Sequence, residues 1–587
     1  MKELMTGNEA IARGAYEAGV TVAAAYPGTP STEILENIAE FYKETIYSEW
    51  APNEKVAAEV AIGASIAGAR SLSTMKHVGV NVAADPIFTY AYQGVNGGFV
   101  LVSADDPSMH SSQNEQDNRY YAKFAKMAMI EPSDSQEAKD FLKEAYKLSE
   151  QFDTTILFRV TTRICHSKSV VELGERVAVG KKPYVRNVAK FVATPNNARA
   201  AHIKVEARLL ELEKFANTSS LNKEEMNPGA KFGIITAGVS YQYCKEVFGD
   251  TVSYLKLGFT YPLPMELIKN FVDKFETVYV IEELEPFMEE QIKAAGIKVI
   301  GKEVIPRIFE LNPEIIAKAI LGTTSEFKIP EVVAAPRPPV LCAGCPHRGF
   351  FYNVSKRKDI IVTSDIGCYT LGGLVPVETV DSCICMGGGF SVGMGMAKAF
   401  EANGEKKVVF GIMGDSTFFH SGMTGALDIV FNKGKMVPVV LDNSITGMTG
   451  HQQNPGTGFT LMGIPTKKAD IVSILTALGY ETVRVVDPCD LQAMSDAMDE
   501  GVKAVEDGIA FAIVTRRPCV LIKTLPPFKV KYKVISEKCK KCKMCLKVGC
   551  PAVFFKDGTS FIDESMCVGC AVCQQVCKFE AIVKVGK

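Results

Sequence analysis

The 587-residue sequence has almost no excess charge: 65 Lys and Arg stand against 67 Asp and Glu, a formal −2. Nothing in that balance recommends a nucleic acid or an anionic membrane as a partner. The opening stretch, MKELMTGNEAIARGAYEAG, lacks the apolar core of a signal peptide. No uncharged run is long and apolar enough to span a bilayer. The best of them, Pro86 to Ala104, is broken by Gln93, Asn96 and the Gly97-Gly98 pair. There is no internal repeat of solenoid period and no low-complexity tract. These absences lead us to expect a cytoplasmic protein with no membrane span.

What is present is an ordinary globular composition, 47% hydrophobic and 22% charged, in a chain long enough for about three to five domains. Residues 1–170 alternate strand and helix patterns. TVAAAYPGTPSTEILENIAEF reads as a buried strand, a Pro/Gly turn and a helix capped by Ser31 or Thr32. NEKVAAEVAIGASIAGAR is a small-residue helix, and SLSTMKHVG, GGFVLVSADDPS and TTILFRVTTR are further strands. Residues 171–230 are expected to be a connection. Residues 231–325 form a second α/β unit, with strands in KFGIITAG, TVSYLKLG and TVYVIEE. Residues 326–339 form a proline-rich linker, 340–525 a third α/β domain and 526–587 a cysteine-dense tail. The fold class is therefore multidomain α/β with parallel sheets.

The third domain carries VVFGIMGDSTFFHSG and, further on, VPVVLDNSITGMTG. In each, a β-rich run ends in a turn of small residues with a carboxylate or amide, and such turns share the crevice beyond the carboxyl ends of a parallel sheet. Gly414 is expected to let the backbone approach a phosphate, with the helix after Asp415 aiming its N–H groups at that anion. Asp415, Asn443 and the Ile445 carbonyl are hard oxygen ligands suited to a Mg²⁺ that also holds diphosphate oxygens. Ser416, Thr446 and His420 border the same turn. The pair resembles the thiamine-diphosphate motif, with Ser416 in place of its third glycine and Asp442-Asn443 in place of its asparagine pair.

Seventeen cysteines in such a chain suit metal ligation better than disulfides. The tail reads Cys539-x2-Cys542-x2-Cys545-x4-Cys550-Pro and then Cys567-x2-Cys570-x2-Cys573-x3-Cys577. Each triplet wraps a [4Fe–4S] cluster whose fourth ligand comes from the other run. This gives Cys539, Cys542, Cys545 and Cys577 to one cluster, and Cys567, Cys570, Cys573 and Cys550 to the other. The extra residue before Cys550 leaves a three-iron form open for the first. Cys342, Cys345, Cys368 and Cys519 are scattered, and either converge beside the cradle or are buried apolar thiols. Cys165, Cys244, Cys383, Cys385 and Cys489 are expected to be ordinary buried thiols.

A thiamine cradle and a two-cluster ferredoxin-like tail in one chain resemble the 2-oxoacid:ferredoxin oxidoreductases, most closely the large subunits of the indolepyruvate branch. YPGTPSTEI, MKHVGVNVAADP, CAGCPHRG, GDSTFFHSG and LDNSITGMTGHQQ carry the resemblance, which spans essentially the whole chain. It implies that 1–170 bind the pyrimidine and 340–525 the diphosphate of thiamine diphosphate. It implies a third, proximal [4Fe–4S] cluster on Cys342, Cys345, Cys368 and Cys519. It places Glu54 on the aminopyrimidine, with Glu59 as the fallback, and Thr29 and Lys76-His77 beside the substrate, with Arg119 as a candidate carboxylate partner. The implied activity is the anaerobic oxidation of arylpyruvates with coenzyme A and ferredoxin, in a complex with a smaller beta subunit. Lys538, Lys540, Lys541 and Lys543, around the first cysteine triplet, either dock an acidic ferredoxin or form an ordinary solvated face. Pyruvate or 2-oxoglutarate specificity, a non-oxidative thiamine decarboxylase, and an electron-transfer subunit are the alternatives.

Overall fold

A computed structural model describes residues 1–180, 182–323, 335, 338–526 and 528–585. It divides into two compact units, Met1–Glu331 and Val332–Lys587. The expected linker at 326–339 falls almost wholly outside the described residues.

The first unit is built on a seven-stranded sheet. Edge to edge its strands are Phe259–Tyr261, Ala128–Ile130, Ile156–Thr161, Phe99–Asp105, Ser71–Lys76, Val22–Ala25 and Tyr47–Trp50. All neighbours are parallel except Phe259–Tyr261, which runs antiparallel to Ala128–Ile130. The central strands, Ser71–Lys76, Phe99–Asp105 and Ile156–Thr161, are buried along their whole length. Helices cover both faces of such a sheet, so burial runs along the whole strand instead of alternating.

Two expectations are revised in this unit. The 171–230 connection contains a 22-residue helix, Pro195–Ala216, started by the Thr194 hydroxyl and a proline in its first turn. The 231–325 segment supplies three strands of a four-stranded sheet, Ser253–Leu257, Gly233–Ala237 and Val278–Ile281, and the connection before it supplies the edge strand Lys223–Glu225. The 231–325 segment also lends Phe259–Tyr261 to the first sheet. Ile235 and Leu255 share one apolar core with Met129 and Leu157, so the two sheets are not separate bodies.

The second unit holds a six-stranded, all-parallel sheet ordered Ser382–Cys383, Ile360–Ser364, Val408–Gly414, Met436–Asp442, Phe511–Arg516, Thr482–Val486. The tail adds two antiparallel ribbons. Lys531–Val534 pairs with Ile582–Val585, and Val553–Lys556 with Thr559–Ile562. The second ribbon turns on Asp557-Gly558, both at positive φ (50° and 75°), the tight turn that matches strand twist.

Candidate active site and iron–sulfur centres

In the first unit, four sequence-predicted residues gather at the carboxyl ends of neighbouring strands. Glu54 opens the helix Glu54–Ile66, whose Asn53 cap accepts the Val56 N–H at 2.9 Å. The Glu54 side chain is buried against Gly79; a Cβ there would lie 2.6 Å from Glu54 Oε1. That contact selects glycine at 79. Glu59 faces solvent and pairs with Lys55, so the fallback does not share the site. Lys76 and His77 follow the strand Ser71–Lys76. Lys76 is buried, donates to the Ser111 carbonyl and lies against Gly28, beside the half-buried Thr29. Burial lowers the Lys76 ammonium to about 8. His77 is wholly buried with Nε2 3.3 Å from the Asn114 carbonyl and no partner at Nδ1; burial lowers its pKa and favours the neutral ring.

Arg119 takes no part in this group. It is buried and ion-paired to Asp117 and Glu282, each at 2.5 Å, and it also donates to the carbonyls of Glu283 (2.8 Å) and Glu285 (3.0 Å). Its charge is consumed inside the protein, where it ties the loop before Arg119–Ala125 to the segment after Val278–Ile281.

In the second unit the two motif turns lie side by side, as strands Val408–Gly414 and Met436–Asp442 are direct neighbours. Asp415 is buried, and its Oδ2 accepts the Asn454 amide at 3.0 Å. The Asn443 side-chain oxygen faces two further acceptors, Asp415 Oδ1 at 3.0 Å and the Ile445 carbonyl at 2.7 Å. Three oxygens so close repel one another unless the amide turns over or a cation sits among them. The donor set is the one a small hard divalent ion prefers. Burial pushes the Asp415 carboxyl up to about 7, with Asp442 adding to the effect, a cost that a bound cation would offset. Thr446 donates to the Ser416 hydroxyl at 2.8 Å, and His420 is buried one turn on, with Nδ1 3.0 Å from Ser421 Oγ.

The helix after Asp415 is interrupted by a π-turn at Phe418–Gly422 before Met423–Phe431. Such turns cluster at functional sites. Gly414 has φ −76°, and a Cβ on it would meet the Tyr369 ring at 2.8 Å, so packing against Tyr369 already requires glycine there.

The scattered cysteines converge. Cys342 lies within electrostatic reach of Cys345, Cys368 and Cys519, and burial holds the Cys345 and Cys368 thiols up near 12 and 11. The Cys519 N–H donates to the Asn443 carbonyl at 2.9 Å, and a Cβ on Gly447 would lie 3.5 Å from both Cys368 Sγ and the Asn443 amide. Among the described residues no three His, Cys, Asp or Glu side chains are close enough to share one metal ion. A cubane spreads its four cysteines over four corners and does not ask for that.

In the tail, one small cavity is lined by Cys539, Cys542, Cys545 and Cys577 together. Cys573 lies within electrostatic reach of Cys550, Cys567 and Cys570, and also of Cys545 from the first run. Cys577 thus lies beside the first triplet, and Cys550 within reach of the second. The loops of the second group abut the proximal cysteines: a Cβ on Gly344 would fall 1.8 Å from Val568 Cγ2.

Three family models match the chain. The thiamine-diphosphate-binding domain of pyruvate flavodoxin/ferredoxin oxidoreductases covers residues 13–211, the C-terminal TPP-binding domain of thiamine pyrophosphate enzymes 365–513, and the 4Fe-4S binding domain 561–583. The indolepyruvate oxidoreductase subunit IorA of Archaeoglobus fulgidus is 43% identical over 99% of this chain and 97% of its own length. The chain belongs to the indolepyruvate oxidoreductase IorA family. The same subunit of Pyrococcus horikoshii is 40% identical over 100% of this chain and 97% of its own, and that of Methanothermobacter marburgensis 39% over 99% and 97%. As an IorA-family member it is an oxidoreductase of the 2-oxoacid:ferredoxin class, with thiamine-diphosphate domains and an iron–sulfur tail. No helix among the described residues is long and apolar enough to cross a membrane.

Sequence reasoning missed three residues of this IorA-family site. Asp365, buried after Ile360–Ser364, accepts the Gly387 N–H at 2.8 Å and the Tyr369 hydroxyl, pinning the turn that carries Cys368. Cys489, expected as an inert thiol, lies against Cys570 and draws that thiol's pKa down. Arg348 sits between the two cysteine groups. Cys165 and Cys244 are buried as expected, whereas Cys385 is exposed and Cys383 half-buried.

Proposed function

We propose that this chain is the catalytic large subunit of an enzyme that oxidises arylpyruvates, indolepyruvate foremost. One arylpyruvate, one coenzyme A and two oxidised ferredoxins would give arylacetyl-CoA, CO₂, two reduced ferredoxins and a proton. The relatives' name supplies the substrate, and their designation as subunits supplies the expectation of a smaller beta partner. The observation that carries the oxidative reading is the 2.9 Å bond from the Cys519 N–H to the Asn443 carbonyl. It joins the oxygen cradle to a cysteine of the proximal group, an arrangement for which a decarboxylase that keeps its electron pair has no use.

Thiamine diphosphate, when bound, supplies the electron sink that lets a 2-oxoacid lose CO₂. Asp415, Asn443 and the Ile445 carbonyl would hold its Mg²⁺, with Ser416, Thr446 and His420 about the diphosphate. Glu54 is assigned to the aminopyrimidine. Lys76, Thr29 and the neutral His77 are assigned to the substrate, where the Lys76 ammonium would face the carboxylate. Cys342, Cys345, Cys368 and Cys519 would hold a proximal [4Fe–4S] cluster and the tail cysteines two more. The exposed Lys538, Lys540, Lys541 and Lys543 suit an acidic ferredoxin. An anaerobic setting suits clusters that dioxygen would destroy, and the cytoplasm is the compartment we propose.

The test is ferredoxin reduction by protein purified anaerobically with its partner subunit, using indolepyruvate, pyruvate and 2-oxoglutarate, each with and without coenzyme A. Coenzyme-A-dependent reduction greatest with indolepyruvate is expected. Preference for pyruvate or 2-oxoglutarate would remove the aryl assignment, and CO₂ release without ferredoxin reduction would defeat the oxidative one.

A further inference from the structure

Arg348 is buried, and among the described residues its guanidinium bonds only to backbone carbonyls of two loops. Toward the proximal group, Nε donates to the Cys342 carbonyl at 2.9 Å and Nη2 to that of Leu341. Toward the tail, Nη1 donates to the carbonyls of Gly549 at 2.5 Å and Val548 at 3.3 Å. Gly549 directly precedes Cys550. No carboxylate pairs with the guanidinium in these bonds. The groups that act on it most strongly are the thiols of Cys342 and Cys345 on one side and of Cys550 and Cys570 on the other. A rigid planar fork holds both loops at once in a way a flexible ammonium does not.

Resting on the reading of this chain as a ferredoxin-linked oxidoreductase, we infer that Arg348 is the positioning residue for electron transfer between the proximal cluster and the Cys550/Cys567/Cys570/Cys573 cluster. Its carbonyl bonds fix the separation of the two cysteine loops, and its unpaired charge favours the reduced form of both clusters. In that transfer one cluster loses one electron and the other gains it, with no bond or proton exchanged. The thiols of the outer group, Cys539, Cys542, Cys545 and Cys577, are not among the four that act most strongly on this charge.

The test compares R348M and R348K with wild type, as iron-replete holoprotein reduced chemically without substrate. Midpoint potentials come from redox titration, and the magnetic coupling of neighbouring reduced clusters from electron paramagnetic resonance. R348M removes a positive charge beside both cysteine groups and is expected to lower the reduced-to-oxidised ratio of both facing clusters about tenfold at a given potential, or about 59 mV, to weaken their coupling, and to move the outer cluster less. R348K, which keeps the charge and gives up the fork, should hold the potentials while the coupling weakens, and it carries the test where R348M fails to take up iron. Wild-type potentials and coupling in R348M, wild-type coupling in R348K, or an outer cluster that moves as far as the other two, would overturn the inference. Neither readout uses substrate. A wild type that fails to reduce ferredoxin would defeat the proposed function and still leave this result readable.

Discussion

Replacing Gly344 with alanine should loosen the tail, because Gly344 is where the proximal loop meets the tail cysteines. Two costs are worked from the structure. Gly344 has φ +70°, and an L-residue held there pays about 1–2 kcal/mol. The new Cβ would fall 1.8 Å from Val568 Cγ2, and forced overpacking against a stiff side chain costs about 1–3 kcal/mol. Together G344A should destabilise this junction by about 2–5 kcal/mol. The assay is urea denaturation of the anaerobic holoprotein, followed by loss of visible iron–sulfur absorbance. A double-mutant cycle separates the two costs. V568A deletes the offending methyl, so in the G344A background it should recover the overpacking part and leave the backbone part. Equal resistance of G344A and wild type, or no recovery with V568A, would refute the packing of these loops.

Other outcomes follow from the same geometry. D415A should weaken Mg²⁺-dependent thiamine diphosphate binding by about a hundredfold or more, given that even outer-shell partners of metal ligands cost about 10–100-fold; titration calorimetry measures it, and unchanged affinity would remove Asp415 from the cradle. Lys76 is charged below about 8 and neutral above, so KM for the 2-oxoacid should climb as pH rises through about 8, and K76M should raise KM at neutral pH and abolish that limb. A pH-independent KM in the wild type would count against Lys76 as the carboxylate partner. R119M leaves Asp117 and Glu282 buried without their cation and should destabilise the first unit by about 3–5 kcal/mol; a wild-type urea midpoint would show that this network bears no load.

How far the sequence reached depended on the range of the interactions. The strand ends and the turns at Asp415 and Asn443 were legible because a parallel strand and its turn are encoded within about a dozen residues. The tail cysteines were legible for the same reason, their ligand spacing being local. The proximal cysteines lie up to 177 positions apart, from Cys342 to Cys519, and only a resemblance joined them before the fold did. Arg348, Asp365 and Cys489 were not legible: each looks unremarkable in sequence and takes its meaning from a loop reached only through folding. Arg119 shows the converse. The resemblance suggested a carboxylate partner, and it has two, both inside the protein. The strand Phe259–Tyr261 escaped notice because three residues at a sheet edge carry no periodicity.

The central claim is that decarboxylation at the thiamine site is wired to the tail within this chain. The most direct measurement is freeze-quench electron paramagnetic resonance of the holoenzyme mixed with indolepyruvate and coenzyme A, with no ferredoxin present. The account predicts signals of reduced tail clusters that grow with substrate and coenzyme A and are absent without them. CO₂ released while every cluster stays oxidised would contradict it.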